Sequence, residues 1–155
     1  MTWKTLGASV VGTSHEEADE ICQDAHAFEV VSGCGRDALL VAVSDGAGSA
    51  ARSAEGSSLV CQQFLIEVRE ILATLHTIDD FCEHHLAEAW VSTRATLLDH
   101  AATEEDDLSA FACTFLTAVV LEGRTVCGQI GDGAMVLGIG SVSYTHLTLP
   151  TIYSV

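Results

Sequence analysis

Basic side chains are what this sequence lacks most. Six Lys+Arg stand against 22 Asp+Glu, a formal net charge of −16 over 155 residues. Such a surface repels the phosphates of nucleic acids and of anionic lipids, which excludes DNA, RNA and membrane surfaces as partners. Excess carboxylate suits hard divalent cations, although most of these acids belong to solvated surface. Long apolar runs are missing too. No stretch reaches the length of a membrane span, and the N-terminus has no charged-then-apolar leader pattern. A soluble, cytoplasmic protein is the expectation. Paired cysteine motifs are also absent. Cys22, Cys34, Cys61, Cys82, Cys113 and Cys127 never fall at C-x-x-C spacing, so neither a zinc knuckle nor a thioredoxin-like site is indicated. Thiols scattered through apolar patterns read as reduced core residues.

What is present suffices for a core. Hydrophobic residues make up 48% of the chain, and its length fits one domain. Residues 3–11 alternate loosely and predict a strand. Residues 28–32 and 39–44 predict two more, joined by the hairpin-type turn Gly33-Cys34-Gly35-Arg36-Asp37. Residues 59–75 carry Val60, Phe64, Val68, Ile71 and Leu75 at the spacing of an amphipathic helix, with Ser53 a candidate N-cap. Thr77-Ile78-Asp79-Asp80 has the form of a capping box and predicts a second helix from Asp80 to about His100. His84, His85 and His100 lie on or near that helix without the spacing zinc needs, and a solvated face is expected for them. Residues 101–109, with Glu104-Glu105-Asp106-Asp107 in a row, read as a mobile exposed linker. Strands follow over 111–121, 125–130 and 134–139. Strands, two helices, then strands give segregated α+β layers rather than alternating βαβ units.

Three acids sit at strand ends or in the turns beside them: Asp24, Asp45 and Asp132. The apolar run 39–43 leads into Ser44-Asp45-Gly46-Ala47-Gly48. A buried strand that delivers a carboxylate to a tight glycine turn can hold a metal ion, and the same letters can also be a plain Asp-Gly turn. Acids far apart in sequence can converge on one rim of a sheet and offer the oxygen-only surroundings that Mg²⁺ or Mn²⁺ prefers. Two such ions can bind a phosphate and acidify a water to attack it, with no side-chain nucleophile.

The motifs Gly12-Thr13-Ser14-His15, Cys22-Gln23-Asp24, Val43-Ser44-Asp45-Gly46-Ala47-Gly48-Ser49-Ala50, Ala112-Cys113-Thr114 and Gly131-Asp132-Gly133 occur in the order and approximate spacing of the type 2C (PPM) metal-dependent protein phosphatases. The chain most resembles a bacterial subgroup whose second motif reads Asp-Gly-Ala-Gly. The resemblance implies a sandwich of two antiparallel sheets with helices outside (αββα), cut short at the C-terminus. It implies a two-ion Mn²⁺ or Mg²⁺ site and a phosphorylated protein substrate. Asp45 matches the ligand that bridges both metals, and Gly46 the residue that lends its backbone carbonyl. Asp24 matches an acid that orients metal-bound water, so Asp24 and Asp45 are the catalytic candidates. Gln23 stands where many members have a metal-linked Glu. Asp132 matches the Asp of a Gly-Asp-Ser motif that helps hold a third metal in some members, and Thr114 matches a structural Thr.

Departures accompany the match. Ala47 stands where eukaryotic members have a His able to act as general acid, and Asp19 where they have a phosphate-binding Arg. His15 and Arg52 are the available substitutes. The family's two later Asp ligands belong beyond Gly140. These gaps leave a second reading open, a phosphatase-like regulatory or binding module without catalysis. A third is an unrelated metal hydrolase that uses the histidines. Residues 141–155 differ in kind: they contain no Asp, Glu, Lys or Arg, and carry the only Pro and both Tyr residues. The segment 143–151 resembles translated read-through of a sequencing adapter. The expected division is therefore a partial PPM-type domain over 1–140 and a non-native tail over 141–155.

Overall fold

The computed structural model describes residues 3–11, 21–33, 35–139 and 142–144. A four-stranded antiparallel sheet forms its centre, in the order β1 (Ala25–Gly33), β2 (Arg36–Ser44), β3 (Phe115–Leu121), β4 (Arg124–Ile130). The β1–β2 register runs from Ala25 opposite Ser44 to Gly33 opposite Arg36. Gly35 turns that hairpin with φ +75°, a conformation other residues adopt at a cost.

Two helices connect the halves of the sheet: α1 (Ser53–Thr74) and α2 (Glu83–Thr103). The apolar period predicted α1 well, since Val60, Phe64, Val68 and Leu72 are all buried. Ser53, the candidate N-cap, is instead the first helical residue, and Arg52 occupies the cap position. The Thr77–Asp80 capping box forms, but it closes a three-residue 3₁₀ turn, Ile78–Asp80. The helix begins later, at a second box in which the Cys82 N–H donates to His85 Nδ1 at 3.1 Å. His85 is thus partly buried in a cap rather than on a solvated face.

Residues directly opposite in a ladder share a face of the sheet. One face meets both helices. It presents Ala27, Ala42, Thr117 and Gly128 in one row, with Leu40, Val119 and Val126 in the next. Trp90 of α2 donates from Nε1 to Thr117 Oγ1 at 3.0 Å. Its ring lies so close to Gly128 that a Cβ there would collide with it. Phe64 packs edge-on against Phe115 with centroids 5.6 Å apart. Among the described residues no helix covers the other face. On it Phe28, Val30 and Val43 are 41%, 44% and 45% exposed.

The α+β class holds, with the described helices on one side of the four-stranded sheet. The second sheet of the implied sandwich is represented among the described residues only by a two-stranded ribbon, β5 (Leu137–Ile139) with β6 (Val142–Tyr144). β6 falls within the stretch expected to be a tail, and residues 145–155 lie outside the described ones. Residues 3–11 form no strand. They pass the open face irregularly, with Ser9 Oγ 3.1 Å from His26 Nδ1 and Leu6 97% exposed. Alternation alone cannot make a strand without a ladder partner. The acidic linker is also different from expectation. α2 continues to Thr103, and Leu108–Phe111 is a 3₁₀ turn with Asp107 accepting the Ser109 N–H at 2.8 Å. No described helix is long and apolar enough to cross a membrane.

Candidate metal centre

The end of β2 is held from three directions. Ser44 is buried and donates to the Thr114 carbonyl at 2.6 Å. Asp45 donates its N–H to Thr114 Oγ1 at 2.9 Å and accepts the Thr114 N–H on its carbonyl at 2.8 Å. Gly46 bridges to Cys113 and donates to the Gln23 carbonyl at 3.1 Å. A Cβ on Gly46 would lie 2.7 Å from that carbonyl, closer than real side chains come, so only glycine fits there. The Gln23 carbonyl also accepts Ser57 Oγ of α1 at 2.6 Å. Asp45 is therefore fixed by backbone and hydroxyl contacts on both sides of its peptide unit.

This arrangement brings Gln23, Asp24, Asp45, Gly46, Thr114 and Asp132 to one cleft of about 330 Å³. Gly131 packs on the Thr114 side chain with φ +83°, which turns the chain so that Asp132 joins the rim. No basic residue lines the cleft among the described residues. Asp45 shows the consequence. Partial burial pushes its carboxyl up, a hydrogen bond with Asp24 adds to the rise, and the charges of Asp24 and Asp132 push it further. Carboxylates held together without a counter-charge, beside a backbone carbonyl and an amide, form an oxygen donor set suited to a hard divalent cation. Among the described residues no three His, Cys, Asp or Glu side chains close on one point. The cleft is an open half-shell of donors rather than a finished cage, and these residues fit a divalent ion on donor chemistry and charge.

The five residues singled out in the sequence (Gln23, Asp24, Asp45, Gly46 and Asp132) all reach this cleft. Arg52 does not. Its guanidinium is held by Glu55 at 2.7 Å and Glu104 at 2.9 Å, and lies 4.7 Å from the Phe111 ring centroid. It is committed there and does not stand in for the phosphate-binding Arg of the resemblance. His15 and Asp19 lie outside the described residues. His100, expected on a solvated face, sits 2.6 Å from Glu55 Oε1 and edge-on to Phe111. The supports from Ser57 and from the carbonyls of 110–112 escaped sequence reading, because backbone contacts between distant segments leave no residue-type signal.

A family model for protein phosphatase 2C matches residues 11–151. Serine/threonine-protein phosphatase 3 of Escherichia coli (strain K12) is 32% identical over 142 residues. That match covers 90% of this chain and 55% of the relative, so the chain spans about half the length of that protein. No solved structure matches.

Proposed function

Because this chain belongs to the protein phosphatase 2C family, we propose that its acidic cleft binds Mn²⁺ or Mg²⁺ and that the intact protein hydrolyses phosphoserine or phosphothreonine in protein substrates. The observation that carries the reading is the convergence of Asp24, Asp45 and Asp132 on one cleft with no cation among its described lining. A chain of net charge −16 repels a phosphate monoester, and bound divalent ions would supply neutralising charge at the cleft.

When bound, the ions supply the Lewis acidity that phosphate hydrolysis needs. Asp45 would hold them, with the Gly46 carbonyl and the Gln23 amide as further oxygen donors. Asp24, beside Asp45, orients the attacking water and takes its proton. Asp132 stands at the rim as an added ligand. Thr114 keeps Asp45 and the Gly131 turn in register. Ala47 offers no acid for the departing alcohol oxygen, which leaves that proton to solvent. The family match runs to residue 151, and in this reading residues 1–140 are the family domain and 141–155 a non-native tail, a division that the gene sequence beyond Gly140 tests.

The deciding experiment is Asp45→Ala in the full-length parent, assayed on p-nitrophenyl phosphate with Mn²⁺. Turnover falls to background. Unchanged turnover in that variant sinks the assignment. A non-catalytic phosphatase-like module is the second reading, favoured by the absence of any described Arg or Lys at the cleft. It gives Mn²⁺ binding by the full-length parent with no turnover of phosphopeptides.

A further inference from the structure

Four contacts run side by side along residues 45–52 and 110–114. Thr114 exchanges hydrogen bonds with Asp45, and Cys113 bridges Gly46. The Ala47 N–H then donates to the Ala112 carbonyl at 2.9 Å, and the Arg52 N–H to the Ala110 carbonyl at 2.8 Å. The two segments are thus zipped from the Asp45–Gly46 turn to the start of α1. At the far end stands Arg52, and its side chain grips what lies behind the second segment. It pairs with Glu104 at the C-cap of α2 and lies 3.9 Å from Asp106, while Glu55 holds it from its own helix. Beneath it Phe111 is fully buried, with the Arg52 guanidinium over its ring and the His100 ring against it at 5.4 Å. The Phe111 carbonyl presses on Gly56 so closely that a Cβ there would collide with it.

We propose that Arg52 is a positioning residue for the Asp45–Gly46 turn: by clasping residues 104–111 against α1, it holds the zipper that presents the turn to the cleft. Glycine and alanine fill residues 46–48 and 50–51, so no side chain on that stretch supplies rigidity of its own. Its free end is fixed by the partner segment 110–114. That segment leaves α2 through an acidic run, Glu104 to Asp107, whose charges repel one another. One guanidinium with a forked donor set is the group able to gather several of them at once. The consequence for catalysis rests on the metal-phosphatase reading, but the arrangement of the zipper does not.

The test is residue-resolved amide exchange on the 155-residue chain, without metal or phosphate. In Arg52→Ala the Ala47 amide exchanges about tenfold faster, while the Val119 amide in the sheet centre changes by less than about threefold. Glu104→Gln speeds Ala47 in the same direction, and the double variant adds nothing beyond Arg52→Ala. Arg52→Lys, which keeps the charge and loses the fork, restores part of the protection. Equal acceleration at Ala47 and Val119 means a global loss of stability and overturns the proposal. So does an unaltered Ala47 rate in Glu104→Gln. In a Mn²⁺ titration followed by electron paramagnetic resonance, Arg52→Ala weakens binding about tenfold. An unaltered affinity overturns the link to the site. A wild-type chain that takes up no Mn²⁺ counts against the metal reading and leaves the exchange result standing.

Discussion

Two groups of acids lie within a short stretch of each other, and they behave in opposite ways. Asp24, Asp45 and Asp132 share a cleft that no described cation enters, and the Asp45 carboxyl is pushed up by burial and then by its neighbours. Glu55, Glu104 and Asp106 gather around Arg52. There the Glu55 carboxyl is drawn down, chiefly by its hydrogen bond with His100 and further by Arg52. The residue types are alike, and both groups lie near the surface. The placement of two basic side chains makes one group a structural clasp and leaves the other in need of a counter-ion. In a chain with 6 Lys+Arg, where those few are used is as informative as where the acids are.

The largest way to break this contrast is Phe111→Ala. It removes the buried ring against which Arg52 and His100 lie, and chemical denaturation should show a loss of about 3–5 kcal/mol. The clasp then loosens while the repulsion among the cleft acids persists. Thr114→Val comes next. It leaves the Asp45 N–H without its acceptor, at a cost of about 0.5–1.5 kcal/mol by thermal unfolding. A neutral result there shows that Thr114 is not what frames the cleft.

The smallest effect carries the sharpest sign. In metal-free buffer at pH 7, Asp45→Asn raises Tm by about 2 °C, because it removes a charge from an uncompensated cluster. Glu55→Gln lowers it by a similar amount. The Asp45 carboxyl is raised, so the penalty it imposes on the folded chain is full above that raised pKa, shrinks as pH falls below it and is gone below the unfolded value. The Glu55 carboxyl is lowered, so its stabilisation exists above the unfolded value and is lost as pH falls through the folded one. Both differences from wild type therefore shrink in acid, from opposite sides. Mn²⁺ should reverse the first by stabilising wild type alone. Two variants of the same sign sink the comparison.

Much of this was legible in the letters, and the failures are physical. The α1 period of Val60, Phe64 and Val68 needed only one helix to show itself. The Thr77–Asp80 box was read correctly as a cap and wrongly as the start of the long helix, because a capping box closes any first turn, including a 3₁₀ one. Residues 3–11 alternate as a strand does and have no ladder. The run Glu104 to Asp107 reads as a free loop to anyone counting charges. The cation that recruits it stands 52 residues earlier, at Arg52. Gln23, Asp24, Asp45, Gly46 and Asp132, which line one cleft, each stand in a short local motif and so were legible as candidates. The frame that brings them to one cleft is built of contacts between segments 69 residues apart, as between Asp45 and Thr114.

The sequence by itself determined the charge, the helix periods and the acid-glycine turns, since each depends on residues within a few positions of one another. Tertiary structure alone decided that, among the described residues, Asp24, Asp45 and Asp132 face a cleft without a counter-charge, that Arg52 turns to acids and a buried ring, and that no helix covers one sheet face. Those outcomes depend on which distant groups meet, and electrostatic environment is a property of neighbours in space.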